Sequence, residues 1–78
     1  SNKFSKYFMK KCKYFFLNGE QYSTESELTI LNLIKYFDYT TSLLVLEYNN
    51  LICNKKNWNK IYIKNNDKIE IVTIVGGG

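Results

Sequence analysis

Seventy-eight residues with an apolar fraction of 45% make one small domain, and a chain of that size buries only about 60% of the surface it exposes when unfolded. There is no His, Arg, Ala or Pro, and all eleven basic residues are Lys, for a net charge of +4. The absence of His excludes Ser-His and Cys-His catalysis and the usual zinc sets, and no apolar run approaches the roughly 18 residues of a membrane span.

Lys, Asn, Ile, Tyr and Phe are abundant, and these are residues of A/T-rich codons. That bias points to an AT-rich genome and accounts for much of the positive charge without a function. The expected compartment is the cytoplasm, or the plastid stroma if the genome is a plastid's. Cys12 and Cys53 are too few for a disulfide scaffold and form no CxxC pair, so they read as reduced thiols.

Residues 1–11, SNKFSKYFMKK, carry four Lys and no acid. They read as a basic extension ahead of the folded domain. Met9 could be the start of the native chain, and Lys interleaved with Phe and Tyr also resembles a nucleic-acid arm or a targeting remnant. No apolar stretch or small-residue cleavage site of a secretory signal is present. The domain itself is assigned to residues 12–75.

Its first signal is KYFFLNGEQYST, residues 13–24. Asn18-Gly19 between two β-prone runs predicts a hairpin with a type I′ turn, with Phe15 and Leu17 on one face. The period then changes. Ile30, Leu33, Ile34 and Phe37 fall on one face of a helix. Thr29 can cap its N-terminus, and Asp38 with Thr40-Thr41 predicts its end near residue 37. Such a short helix needs a sheet to lie on.

The run Leu43 to Leu46 predicts a strand buried on both faces. Asn49-Asn50 turns the chain into a short partner at 51–53. Residues 54–60 are polar except for Trp58, which is expected to fold back as a plug over the core. An extended piece and an Asn/Asp turn follow over 60–68. In the last strand, KIEIVTIV (68–75), Ile69 and Ile71 are assigned to the core. Val72 and Ile74 then point outward, an apolar patch on a polar surface and a candidate contact with partners, continued by Val75. The order is β-β-α-β-β-β, an α+β domain with one helix on one face of a mixed sheet.

The chain closes on Gly76, Gly77 and Gly78, after 75 residues that contain only Gly19. A frayed end or a cloning remnant would look the same, although linkers are usually Gly/Ser mixtures after polar residues. A glycine tail suits a carboxylate that another protein must handle. Without Cβ atoms it can thread a narrow channel and adopt angles closed to other residues. Activation with ATP would give an acyl-adenylate; a sulfur donor could then leave a thiocarboxylate, or an amine could form an isopeptide.

Four segments together resemble the ThiS family, the ubiquitin-like sulfur carriers of thiamine biosynthesis. They are LNGE (17–20), LTILNLI (28–34), VLEYNNLICNKKNW (45–58) and NDKIEIVTIVGGG (66–78). The ordered set, covering about residues 15–78, is more specific than any one of them. The resemblance implies a β-grasp fold. It implies that Gly78 is adenylated by a ThiF-like E1-type enzyme, which uses the ATP, that it is sulfurated from a donor such as a cysteine desulfurase, and that it is consumed by a ThiG-like thiazole synthase. Gly76 and Gly77 would be the flexible arm. The protein would be a carrier and co-substrate rather than an enzyme, with no bound cofactor, no metal, no nucleic acid and no membrane. Thr24 and Asn54 stand where the family often has Pro. The alternatives are a MoaD-like carrier for molybdopterin synthesis, an isopeptide-forming modifier, and, from another class, a small basic nucleic-acid-binding module.

Overall fold

The computed structural model describes residues 11–39 and 44–73. The start of the chain, the link at 40–43 and the last five residues lie outside the described residues.

Strands β1 (Lys13–Leu17) and β2 (Glu20–Thr24) form the expected hairpin, in antiparallel register from Lys13↔Thr24 to Leu17↔Glu20. Asn18 and Gly19 have φ of 51° and 85°, the two positive values that a type I′ turn demands. Helix α1 (Ile30–Tyr36) begins at Thr29. The Thr29 hydroxyl accepts from the Asn32 N–H, and the Asn32 side-chain oxygen accepts from the Thr29 N–H. This reciprocal capping box satisfies two otherwise orphaned donors. The helix ends where Asp38 takes a left-handed φ of 58° and its N–H closes on the Lys35 carbonyl.

β3 (Leu44–Tyr48), β4 (Leu51–Ile52), a 3₁₀ turn (Lys55–Asn57) and β5 (Lys68–Thr73) complete the chain, and the sheet order is β2-β1-β5-β3-β4. β5 runs parallel to β1 and antiparallel to β3. The last strand in sequence is therefore central in space. The outcome is the predicted mixed sheet with one helix.

The core lies between α1 and one sheet face. Phe15, Leu17, Leu46, Ile69 and Ile71 meet Ile30, Leu33 and Ile34 there, with Trp58 and Ile63 closing the sides. Trp58 is 1% exposed, and its indole N–H donates to the Cys53 carbonyl at 3.1 Å, so the plug over the core is borne out. The extended piece before β5 is stitched to the start of α1, with Ile30 N–H donating to the Ile61 carbonyl and Ile63 N–H to that of Leu28.

One expectation is corrected. The run ending at Leu46 is not buried on both faces. Leu46 is buried, but Leu44 and Val45 are only half-buried. With a helix on one face only, Val45 turns toward the open side, and Leu43 lies outside the described residues.

Candidate functional site

The final strand is held at its start by a buried carboxylate. Asp67 is 5% exposed and accepts from the Tyr48 hydroxyl at 2.7 Å, the Asn49 side-chain amide at 3.1 Å and the Lys64 N–H at 2.7 Å. Its own carbonyl accepts from the Phe16 N–H at 2.8 Å. One residue thus ties β5 to both neighbours. Burial is the main cause raising the Tyr48 phenol above its ordinary 10.0, while the Lys64 ammonium, 2.9 Å away, pulls it down.

Beyond Ile69 the strand outruns β1, whose last partner in the parallel ladder is Leu17. The Asn18 side-chain oxygen takes over there and accepts from the Ile71 N–H at 2.7 Å. β3 supports the other edge as far as the Leu44↔Thr73 pair. From Thr73 the sequence has five residues to Gly78, a reach of at most about 17 Å.

The face of β5 away from α1 is open. Val72 is 60% exposed and sits directly across from half-buried Val45. The next outward pair is Glu47↔Glu70, and Ile52, 75% exposed, flanks Glu47 from β4. Directly opposed residues share a face, and like charges so placed cost stability. Neither carboxylate joins an ion pair among the described residues, where the salt bridge is Lys13–Glu27. The surface beside the end of β5 is therefore an apolar pair with two adjacent negative charges.

Among the sequence-derived site residues, Val72 stands where expected, on the open face. Ile74, Val75, Gly76, Gly77 and Gly78 lie outside the described residues. Val45, Glu47, Glu70 and Ile52 were missed. Alternation within 44–48 and 68–73 carries the outward direction of the first three, but setting Val45 against Val72 and Glu47 against Glu70 depends on a register between positions more than twenty residues apart, while Ile52 meets Glu47 across the short β3–β4 hairpin. The two cysteines are free thiols, Cys12 exposed and Cys53 half-buried. No group of three or more Cys, Asp or Glu side chains converges among the described residues, and no helix there is long and apolar enough to cross a membrane.

A model of the ThiS family matches residues 15–78, from the first hairpin through the last glycine. The chain belongs to the ThiS family. ThiS proteins are small ubiquitin-like sulfur carriers, and the mixed sheet with its single helix is their β-grasp fold. The crystal structure of the thiamine biosynthesis protein ThiS from Geobacter metallireducens superposes with a TM-score of 0.70, covering 83% of this chain and 99% of that one at 18% identity. Among curated relatives, the ycf40 protein of Trieres chinensis is 67% identical over 66 residues, covering 85% of this chain and 90% of the relative. The ycf40 protein of Porphyra purpurea is 34% identical over 62 residues, covering 80% and 87%.

Proposed function

We propose that this chain carries sulfur on the carboxyl group of Gly78 for thiazole formation in thiamine biosynthesis. The observation that supports this most is the extent of the ThiS match, which runs through the apolar last strand to Gly78 itself. In the first step a Gly78 carboxylate oxygen attacks the α-phosphorus of ATP on an E1-type adenylyltransferase. Pyrophosphate leaves, and the glycine becomes an acyl-adenylate. A sulfur nucleophile at the oxidation level of sulfide then attacks the acyl carbon, AMP departs, and the carbon keeps one oxygen and gains one sulfur. The thiocarboxylate is ionised at neutral pH and delivers its sulfur to a thiazole synthase.

In this scheme the folded body supplies position, not chemistry. Val72 and Val45 offer apolar contact beside the tail, continued in sequence by Ile74 and Val75. Glu47 and Glu70 favour a partner surface that brings Lys or Arg to that face. Gly76 and Gly77 let the carboxylate enter a channel too narrow for side chains. The AT-rich composition and the ycf40 relatives from plastid-bearing organisms favour the plastid stroma as the place of action.

The test is to incubate the chain with an E1-type partner, ATP and a sulfide donor and to weigh it intact. The expected result is replacement of one oxygen by sulfur, lost when Gly78 is deleted. Capture of sulfur by a molybdopterin-forming partner but not by a thiazole synthase would replace the pathway and keep the carrier.

A further inference from the structure

A second surface lies on the opposite side of the sheet from Val72, independent of the carrier reading. Between β2 and α1 runs a groove of about 410 Å³, lined mainly by Phe15, Tyr22, Leu28, Leu33, Tyr36 and Phe37. It is an aromatic trough. The Tyr22 ring stacks on Phe15 at 5.9 Å and meets the edge of Phe37 at 5.3 Å, and Tyr36 is 81% exposed at its wall. One border is β2, an edge strand of the sheet, so backbone donors and acceptors face outward along it. Glu20, Glu25 and Glu27, three of the chain's seven acids, are exposed along β2 and the link into α1.

We propose that residues 1–10 of this same chain occupy the groove in cis, with Phe4, Tyr7 and Phe8 as anchors and Lys3, Lys6 and Lys10 against the acidic rim. Three observations select this occupant. The segment is complementary in composition, with three Lys and three aromatic residues in ten and no acid. It enters the fold at the right place: the first residue of β1, Lys13, pairs with Thr24, and Thr24 itself lines the groove. The same edge already shows the charge pairing on which the proposal draws, since Lys13 Nζ lies 2.7 Å from a Glu27 carboxylate oxygen. The geometry permits it. Phe8 lies five residue steps before Lys13, a reach of at most about 17 Å, whereas β2 is one strand spacing away, about 5 Å. An extended segment can pass around that edge and lay its rings into the trough. The Val72 face and the last strand stay free, so docking of the segment and sulfur transfer do not compete.

The experiment uses the full 78-residue chain. Nuclear Overhauser spectra are expected to show contacts from the Phe4, Tyr7 and Phe8 rings to the side chains of Leu33 and Phe37, unchanged on tenfold dilution. Replacing the three anchors together (Phe4→Ser, Tyr7→Ser, Phe8→Ser) should remove the contacts and move the amide resonances of Tyr22, Leu33 and Phe37, while those of Leu46 and Ile69 stay in place. Absence of the contacts, with groove resonances indifferent to the triple substitution, overturns the proposal. Contacts that fade on dilution also overturn it, because the groove is then filled by a second copy.

Discussion

The two faces of the sheet are made by the same strands, one residue out of phase, yet they do opposite work. On the inner face Phe15, Leu17, Leu46, Ile69 and Ile71 are buried against α1. On the outer face the intervening positions carry Val45 opposite Val72 and Glu47 opposite Glu70, exposed or half-exposed and without an ion pair among the described residues. A small domain has little stability to spare, so unneutralised carboxylates and bare valines side by side are a cost that packing does not explain. The inner face holds the strand in place. The outer face is left uncovered by the fold, and in the proposed carrier role it is the surface offered to partners, next to the part of the chain that leads to Gly78.

That contrast can be broken in graded ways. The largest effect is expected inside: Trp58→Ala should cost about 3–5 kcal/mol, enough to leave the domain largely unfolded at room temperature by circular dichroism. Next is the latch at the base of the strand. Asp67→Ala removes three accepted hydrogen bonds and should cost about 2–3 kcal/mol in a denaturant titration. Its partner gives the same latch a pH signature. Tyr48 has a folded pKa raised above 10.0, chiefly by burial. Its contribution is therefore fully present below pH 10 and is lost as pH rises through the raised value. Tyr48→Phe should flatten the alkaline limb of the stability profile.

Outside, the order of effects should reverse. Val72→Asp should cost about 1 kcal/mol of stability, too little to unfold the domain, and slow adenylation by the E1-type partner about tenfold, the equivalent of about 1.4 kcal/mol. Glu70→Lys relieves the like-charge pair and should raise stability by about 0.2–1 kcal/mol while weakening docking. If these variants unfold the domain instead, the outer face is structural and the contrast fails. The smallest effect separates the two thiols. Burial raises the Cys53 thiol above its ordinary 9.0, so a disulfide reagent should modify exposed Cys12 first, with the Cys53 reaction displaced to higher pH.

Much of the inner face was legible because its signals are local. The Asn18-Gly19 turn, the Thr29 cap, the helical spacing of Ile30, Leu33 and Ile34 and the isolated Trp58 each declare themselves within a few residues. Asn32 as the other half of the capping box was not read, since that motif usually carries Glu or Gln. Asp67 was read only as part of a turn. Its burial depends on Tyr48 and Asn49, brought beside it by the β3–β5 register. The same register creates the Glu47–Glu70 pair, which sequence alternation cannot reveal. The misreading of the run ending at Leu46 has a related cause: four consecutive apolar residues resemble a strand covered on both sides, but a single short helix covers only one.

The most direct test of the account is the intact mass of the chain after incubation with an E1-type adenylyltransferase, ATP and a sulfide donor, followed by fragmentation to locate the change. The account predicts that one oxygen is replaced by sulfur, on Gly78 alone, and that Val72→Asp slows this without altering the site. An unchanged mass with a partner that sulfurates another ThiS protein, or sulfur located on Cys12 or Cys53 instead of Gly78, would contradict it.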